Sequence, residues 1–196
     1  MKEDILEQLA SDYLEALGYF TLTNVKFRPD PSDPAFDSKQ DSVHSDIDVL
    51  GYCPKRAGVD RVIAVSCKSL QEGFWPEWEV NAIEKNKLVS GREAWRRYRE
   101  LVVPKWARAF RKCISDLTNE STFVYVTAVT KVNGDRSPWE NNSKFRETLG
   151  AEIRLLSLNE MVEAVLPALS NTVANSELGR TLQLFKAAGI LGGKDA

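Results

Sequence analysis

Histidine is nearly absent from this 196-residue chain, with His44 the only one. A histidine-based catalytic triad would have to be built on that residue alone. A structural histidine held by hydrogen bonds is the competing reading of it. Cysteine is scarce as well: Cys53, Cys67 and Cys113 are widely spaced and odd in number. That spacing argues against a disulfide framework, contains no CxxC or Cys/His cluster that suggests zinc, and fits a reducing cytosol. No apolar run approaches a membrane span, and the start Met1-Lys2-Glu3-Asp4 is acidic where a signal peptide would be basic. These absences lead us to expect a cytoplasmic protein with no membrane partner. They also leave a hard cation held by carboxylates as the remaining metal option.

What is present is ordinary for a globular protein, with 43% hydrophobic and 28% charged residues. The length suits one sizeable core, so residues 1–190 are expected to form a single domain, with 191–196 as a frayed, disordered tail. The net charge of −2 hides an asymmetry. Residues 92–112 hold eight basic and two acidic residues, giving +6 there and leaving −8 for the rest. Arg92, Arg96, Arg97, Arg99, Lys105, Arg108, Arg111 and Lys112 are therefore candidate contacts to a polyanion. Trp95, Tyr98, Trp106 and Phe110 are interleaved with them, and could stack on bases or face inward as the core of two amphipathic helices. At helical spacing Trp95, Tyr98 and Leu101 face inward.

Ile5, Leu6, Leu9, Ala10, Tyr13, Leu14 and Leu17 recur at helical spacing, which predicts a helix over 3–17 stopped by Gly18. A strand follows over 19–27. Residues 28–41, with three prolines and four aspartates, read as a loop. Residues 43–52 and 61–70 read as an antiparallel hairpin. Helices are expected over 77–90, 91–101 and 104–117, the last with Pro104 in its first turn. A buried strand spans 123–132, a polar loop 133–143, a strand 152–157, and helices 158–169 and 176–188. Ser157 or Asn159 caps the first of these two helices. The order α-β-β-β-α-α-β-β-α-α defines an α/β fold, a mixed central sheet flanked by helices.

Side chains two apart on a strand share a face. Asp46 and Asp48 then share one face of the first hairpin strand, and Ile47 and Val49 the other. On the second strand Ser66 and Lys68 share a face with Val62 and Ala64. If the hairpin turns around Ala57, Asp48 lies opposite Ser66 and Asp46 opposite Lys68. Such a face could hold a divalent ion and present an ammonium to a phosphate. It could equally be a cross-strand ion pair on a solvated sheet.

The order of three motifs goes further. Glu7-Gln8-Leu9-Ala10-Ser11-Asp12-Tyr13-Leu14-Glu15-Ala16-Leu17-Gly18-Tyr19, then Asp46-Ile47-Asp48-Val49-Leu50-Gly51-Tyr52, then Ile63-Ala64-Val65-Ser66-Cys67-Lys68-Ser69 resembles the PD-(D/E)xK restriction-endonuclease-like nuclease superfamily. The likeness is to its Holliday-junction-resolvase and Mrr-like branches, and covers residues 5–70. It implies a restriction-endonuclease-like sheet and a magnesium- or manganese-dependent nuclease acting on DNA rather than RNA, in defence or repair. Relatives of the resolvase branch often act as dimers, so a homodimer is implied too. By position, Asp48 would be the metal-binding aspartate, Lys68 the catalytic lysine and Glu7 the helix glutamate, with Glu3 its alternative. The Cys67 carbonyl would be a further metal ligand. Ser66 stands where the family has an acid. Asp46, Glu72, Glu77, Glu79 or Glu84 could replace it, or the chain could be a catalytically inactive nucleic-acid-binding or regulatory module. An adaptor for a protein partner is the third possibility. Trp75 and Trp78, just downstream, could line the cleft or cap the core.

Overall fold

The structure is a computed structural model and describes residues 4–170, 172–174 and 176–191. Glu3 and the tail 192–196 lie outside the described residues. Helix α1 (Ile5–Ala16) is capped by Asp4, whose carboxylate accepts the Leu6 amide at 2.8 Å. Its buried Leu6, Leu9, Ala10 and Leu14 fall on one stripe. Gly18, at φ +86°, turns the chain out of the helix, a conformation open to glycine without the Cβ clash other residues meet.

Strand β1 (Phe20–Phe27), a short helix α2 (Ser38–Asp41) inside the expected loop, strand β2 (Ser45–Tyr52) and strand β3 (Val62–Lys68) follow. After α3 (Pro76–Glu84) the chain departs from the sequence reading. The expected helix over 77–90 stops at Glu84, and Leu88–Val89 (β4) pairs with Arg92–Glu93 (β5) as a two-stranded ribbon. Ser90 and Gly91 at the tip both have positive φ (50° and 77°), the geometry of a tight hairpin turn and not of a helix. The expected helix over 91–101 is therefore a strand, a 3₁₀ segment (Ala94–Tyr98) and one turn, α4 (Arg99–Val102).

Helix α5 (Pro104–Thr118) and strand β6 (Val124–Val129) are where the pattern predicts them, though β6 ends at Val129 and Val132 makes only a lone bridge to Phe74. The polar segment 133–143 contains helix α6 (Ser137–Glu140), and an unexpected helix α7 (Ser143–Leu149) follows. The polar composition hides one anchor. Trp139 is fully buried, edge-on to Phe74, Tyr98 and Phe145, with its Nε1 donating to Thr127 at 3.1 Å. Strand β7 (Glu152–Ser157) and helix α8 (Leu158–Ala168) join through a capping box on Ser157 and Glu160, so Ser157 and not Asn159 is the cap. Helix α9 is Glu177–Ala187.

The five long strands form one mixed sheet in the order β1-β2-β3-β6-β7. The first three are antiparallel neighbours, while β3–β6 and β6–β7 are parallel. Each face carries a core. One holds Val62, Ala64, Tyr98, Leu101, Trp106, Phe110, Tyr125 and Trp139. The other holds Leu6, Leu9, Leu14, Ile63, Val65, Val126 and Met161. This is an α/β architecture with helices on both faces, and burial on both sides explains why β6 is nearly all apolar, with Thr127 its one polar residue.

Within the hairpin the expected register holds from Tyr52↔Val62 to Val49↔Val65, where the ladder ends. The continuation does not follow expectation. Asp48 does not form a ladder pair with Ser66; instead its Oδ2 accepts the Cys67 amide at 2.6 Å. Asp46 is not opposite Lys68 but bonded to Lys26 of β1 at 2.6 Å. Ile47 and Val49 do not share a face either: Ile47 joins the core with Leu50, and Val49 the opposite core. These departures coincide with Asn24, whose left-handed backbone (φ +54°) falls between the paired Thr23↔Val49 and Val25↔Ile47 and interrupts the pleat of β1 beside Asp48.

Candidate active site

Where the β2–β3 ladder opens, polar side chains take over from backbone pairing. Asp48 at the break is half-buried. Burial pushes its carboxyl above the usual range, Lys68 and the Cys67 amide pull it back, and Asp46 pushes it up again. Lys68 ends β3, donates from Nζ to Ser66 Oγ at 2.8 Å, and lies 5.8 Å from the Tyr98 ring centre. Asp48 and the Tyr125 phenol lie near the Ser66 hydroxyl, whose side-chain hydrogen bond among the described residues is the one it accepts from Lys68.

Glu7 arrives from the first turn of α1. The helix start is tied to the strand end by Ser69, whose Oγ donates to both Asp4 carboxylate oxygens at 2.9 Å. The Glu7 carboxyl is raised by burial first and then by Asp48, Asp4 and Asp46, with Lys68 opposing. The structure thus brings Asp48, Lys68, Ser66 and Glu7 to one place from three elements. Asp46 stays on the rim, held by Lys26. The half-buried Cys67 side chain packs toward the α1 side, and burial and the charge of Asp48 push its thiol well up, as suits an unreactive thiol.

Two of the acids considered as substitutes for the missing carboxylate at position 66 are committed elsewhere. Glu79 is buried against Arg97 (2.7 Å), and Glu84 pairs with Lys144 at the surface (3.2 Å). Glu72 and Glu77 are exposed. Glu72 lines a groove of about 650 Å³ with Trp75 and Trp78, which are exposed and do not cap the core. The sequence reading missed Glu100. It is buried on α4, accepts a hydrogen bond from the Tyr125 hydroxyl, and feels the charges of Lys68 and Asp48. No sequence signal marks it, because it sits inside the basic segment and looks like a solvated helix residue.

That basic segment is not one continuous track. Arg96 pairs with Glu93, Arg97 with Glu79, Lys105 with Asp41, Arg108 with Asp33 and Lys112 with Asp116. Arg99 stacks over Trp106, Arg111 lies against Gly150, and Arg92 is exposed on the ribbon. Of its aromatics, Tyr98, Trp106 and Phe110 are buried. Lys105, Arg108 and Lys112 line a groove of about 590 Å³ shared with Lys26, Arg28 and His44. His44 is exposed on that rim.

Among the described residues no three His, Cys, Asp or Glu side chains converge as a metal cage. Two carboxylates remain as candidate donors: Asp48, raised by burial and by the charge of Asp46, and Glu7, raised by burial and by the charge of Asp48. Magnesium commonly binds through one or two carboxylates and completes its shell with water and substrate phosphate, so the chemistry of this pair fits it. No known family model matches the chain, and no curated protein or solved structure matches it.

Proposed function

We propose that this chain is a metal-dependent nuclease of the PD-(D/E)xK type, hydrolysing phosphodiester bonds in DNA. The observation that carries the reading is the meeting of Asp48, Glu7 and Lys68 at the point where the hairpin ladder opens. The mixed sheet, with an antiparallel hairpin feeding parallel strands, supports the same reading of the fold. Three free cysteines suit a cytoplasmic setting.

In this reading Asp48 and Glu7 would hold magnesium or manganese, which when bound polarises the phosphate and lowers the pKa of a coordinated water. The amide of Cys67 fixes the Asp48 carboxylate in orientation. Lys68, steadied by Ser66, places its ammonium beside the phosphate and stabilises the negative charge that builds on its oxygens. A water oxygen forms the new bond to phosphorus, the P–O bond to the leaving nucleoside oxygen breaks, and that oxygen takes up a proton.

The test is incubation of the protein with single- and double-stranded DNA and with RNA, in magnesium or manganese. Cleavage that disappears in Lys68→Ala and in Asp48→Ala is the expected result. No cleavage of any of these substrates with either metal would overturn the reading. Ser66, in the place of an acid, favours a second reading, a nuclease-derived module that binds nucleic acid without cutting it. That reading expects salt-sensitive binding that survives Lys68→Ala.

A further inference from the structure

Two tryptophans just beyond the site are left in the open. Trp75 and Trp78 stand 56% and 46% exposed at the start of α3, while Trp106 and Trp139 are buried. Leaving indole surface in water opposes the hydrophobic effect, and the two lie three residues apart on one groove wall. With Leu70, Glu72, Glu79 and Arg97 they line the groove of about 650 Å³. That groove adjoins the site in two ways. Leu70 follows Lys68 by two residues, and its amide donates to the Lys68 carbonyl at 2.9 Å. The Tyr98 ring centre lies 5.8 Å from Lys68 Nζ and 5.5 Å from the Arg97 guanidinium, so the lysine of the site and the arginine of the groove share one ring. The wall between them is pinned. Phe74 exchanges backbone hydrogen bonds with Lys131 and Asn133, both at 2.7 Å, and Asn133 Nδ2 donates to the Glu72 carbonyl at 3.0 Å.

Charge decides which part of a nucleic acid suits this groove. Arg97 is already paired with Glu79 at 2.7 Å and Glu72 adds a negative charge, so a phosphate is disfavoured there. An uncharged planar group with hydrogen-bonding edges fits better. Its face stacks on an indole, and its edge accepts from Arg97, whose guanidinium is partly exposed and makes one hydrogen bond among the described residues. We propose that the Trp75–Trp78 groove binds an unstacked nucleobase while the adjoining phosphate lies on Lys68, so that the substrate carries a single-stranded stretch. The inference rests on the reading of Lys68 as the group that meets phosphate. A base inside a duplex is paired and stacked on both faces, and entry would require pulling it out of the helix. A single strand offers its base faces freely, and every base has one, so selection among the four bases is weak.

The experiment titrates the metal-free protein with single-stranded oligothymidylate, with the same strand paired to oligoadenylate, and with a proline-rich peptide. Tryptophan fluorescence reads the parent, and the anisotropy of a labelled strand reads the variants. The single strand quenches the fluorescence, and the duplex does so only at much higher concentration. Trp75→Ala and Trp78→Ala each weaken single-strand binding about 5- to 100-fold. Phe20→Ala removes an equally exposed aromatic from the β1 edge of the sheet and leaves binding unchanged. All three side chains are exposed, so the variants fold, which circular dichroism checks. Unchanged affinity in both tryptophan variants overturns the inference, as does an equal loss in Phe20→Ala or duplex binding as tight as single-strand binding. Quenching by the peptide alone also overturns it and gives the groove to a protein partner. Should the indoles bind the strand while the parent cleaves nothing with magnesium or manganese, the nuclease reading fails and the base-binding groove stands.

Discussion

The two ends of one hairpin are built on opposite rules. From Tyr52↔Val62 to Val49↔Val65 the strands bond backbone to backbone, and their side chains are split between two dry cores. One residue further the ladder stops, and the Cys67 amide is satisfied by the Asp48 side chain. The closed end gains stability from burial and needs no particular chemistry. The open end gives up a ladder pair and crowds its acids, so that Asp46 makes Asp48 costlier to ionise, and Asp48 and Asp46 do the same to Glu7. Stability and chemistry have been separated along a single pair of strands, and a break in pairing marks the boundary. Charged groups that disfavour one another in the folded state are a mark of sites shaped for binding or catalysis.

The largest effect that could break this contrast is on cleavage. Asp48→Asn is expected to lower it by about a hundredfold or more, through loss of the charge rather than the shape. At the closed end Leu50→Ala should leave cleavage per folded molecule unchanged while lowering stability by about 2–5 kcal/mol, read from urea unfolding. Cleavage falling with Leu50→Ala as steeply as with Asp48→Asn would mean that the two ends are not independent.

The pH dependence sharpens the contrast further. Asp48 and Glu7 hold their protons more tightly folded than unfolded, so their contribution falls as pH rises from the unfolded carboxylate range, about 4, through their raised folded values. In chelator, Asp48→Asn should therefore raise the melting temperature at pH 7, and the gain should shrink as pH is lowered toward 4. A variant less stable than the parent at pH 7 would show that the Asp48–Cys67 bond outweighs the crowding. The smallest effect belongs to the rim. Lys26 and Asp46 form an exposed pair (58% and 37%), and Lys26→Ala should cost no more than about 1 kcal/mol.

Much of this contrast can be read in the sequence, and the limits have physical causes. The register of the closed end follows from the turn and from alternating apolar residues, because a one-residue slip would expose the whole core face. The convergence of Glu7, Asp48 and Lys68 was legible only through the order of three motifs, since the contacts lie across three elements. The break at Asp48 was not legible. It falls beside the left-handed Asn24 of a neighbouring strand, where strict alternation stops applying. The ribbon at 88–93 was missed because Ser90-Gly91 lies within a stretch of helix-compatible composition, and α6 because a single tryptophan in a polar segment carries no periodicity.

By itself the sequence determined the element types with strong period, namely α1, β2, β3, α5, β6 and β7, and the stripe or alternation each would bury. Local propensity and amphipathic pattern act over a few residues, so they are written there in full. Only the tertiary structure decided which charges are free and which are consumed. It turned most of the basic segment 92–112 into internal ion pairs and stacks, and it drew Glu100 out of that segment into the core beneath Lys68. Charge pairing and burial depend on distances between residues far apart in the chain, and those distances exist only once the sheet and helices are packed.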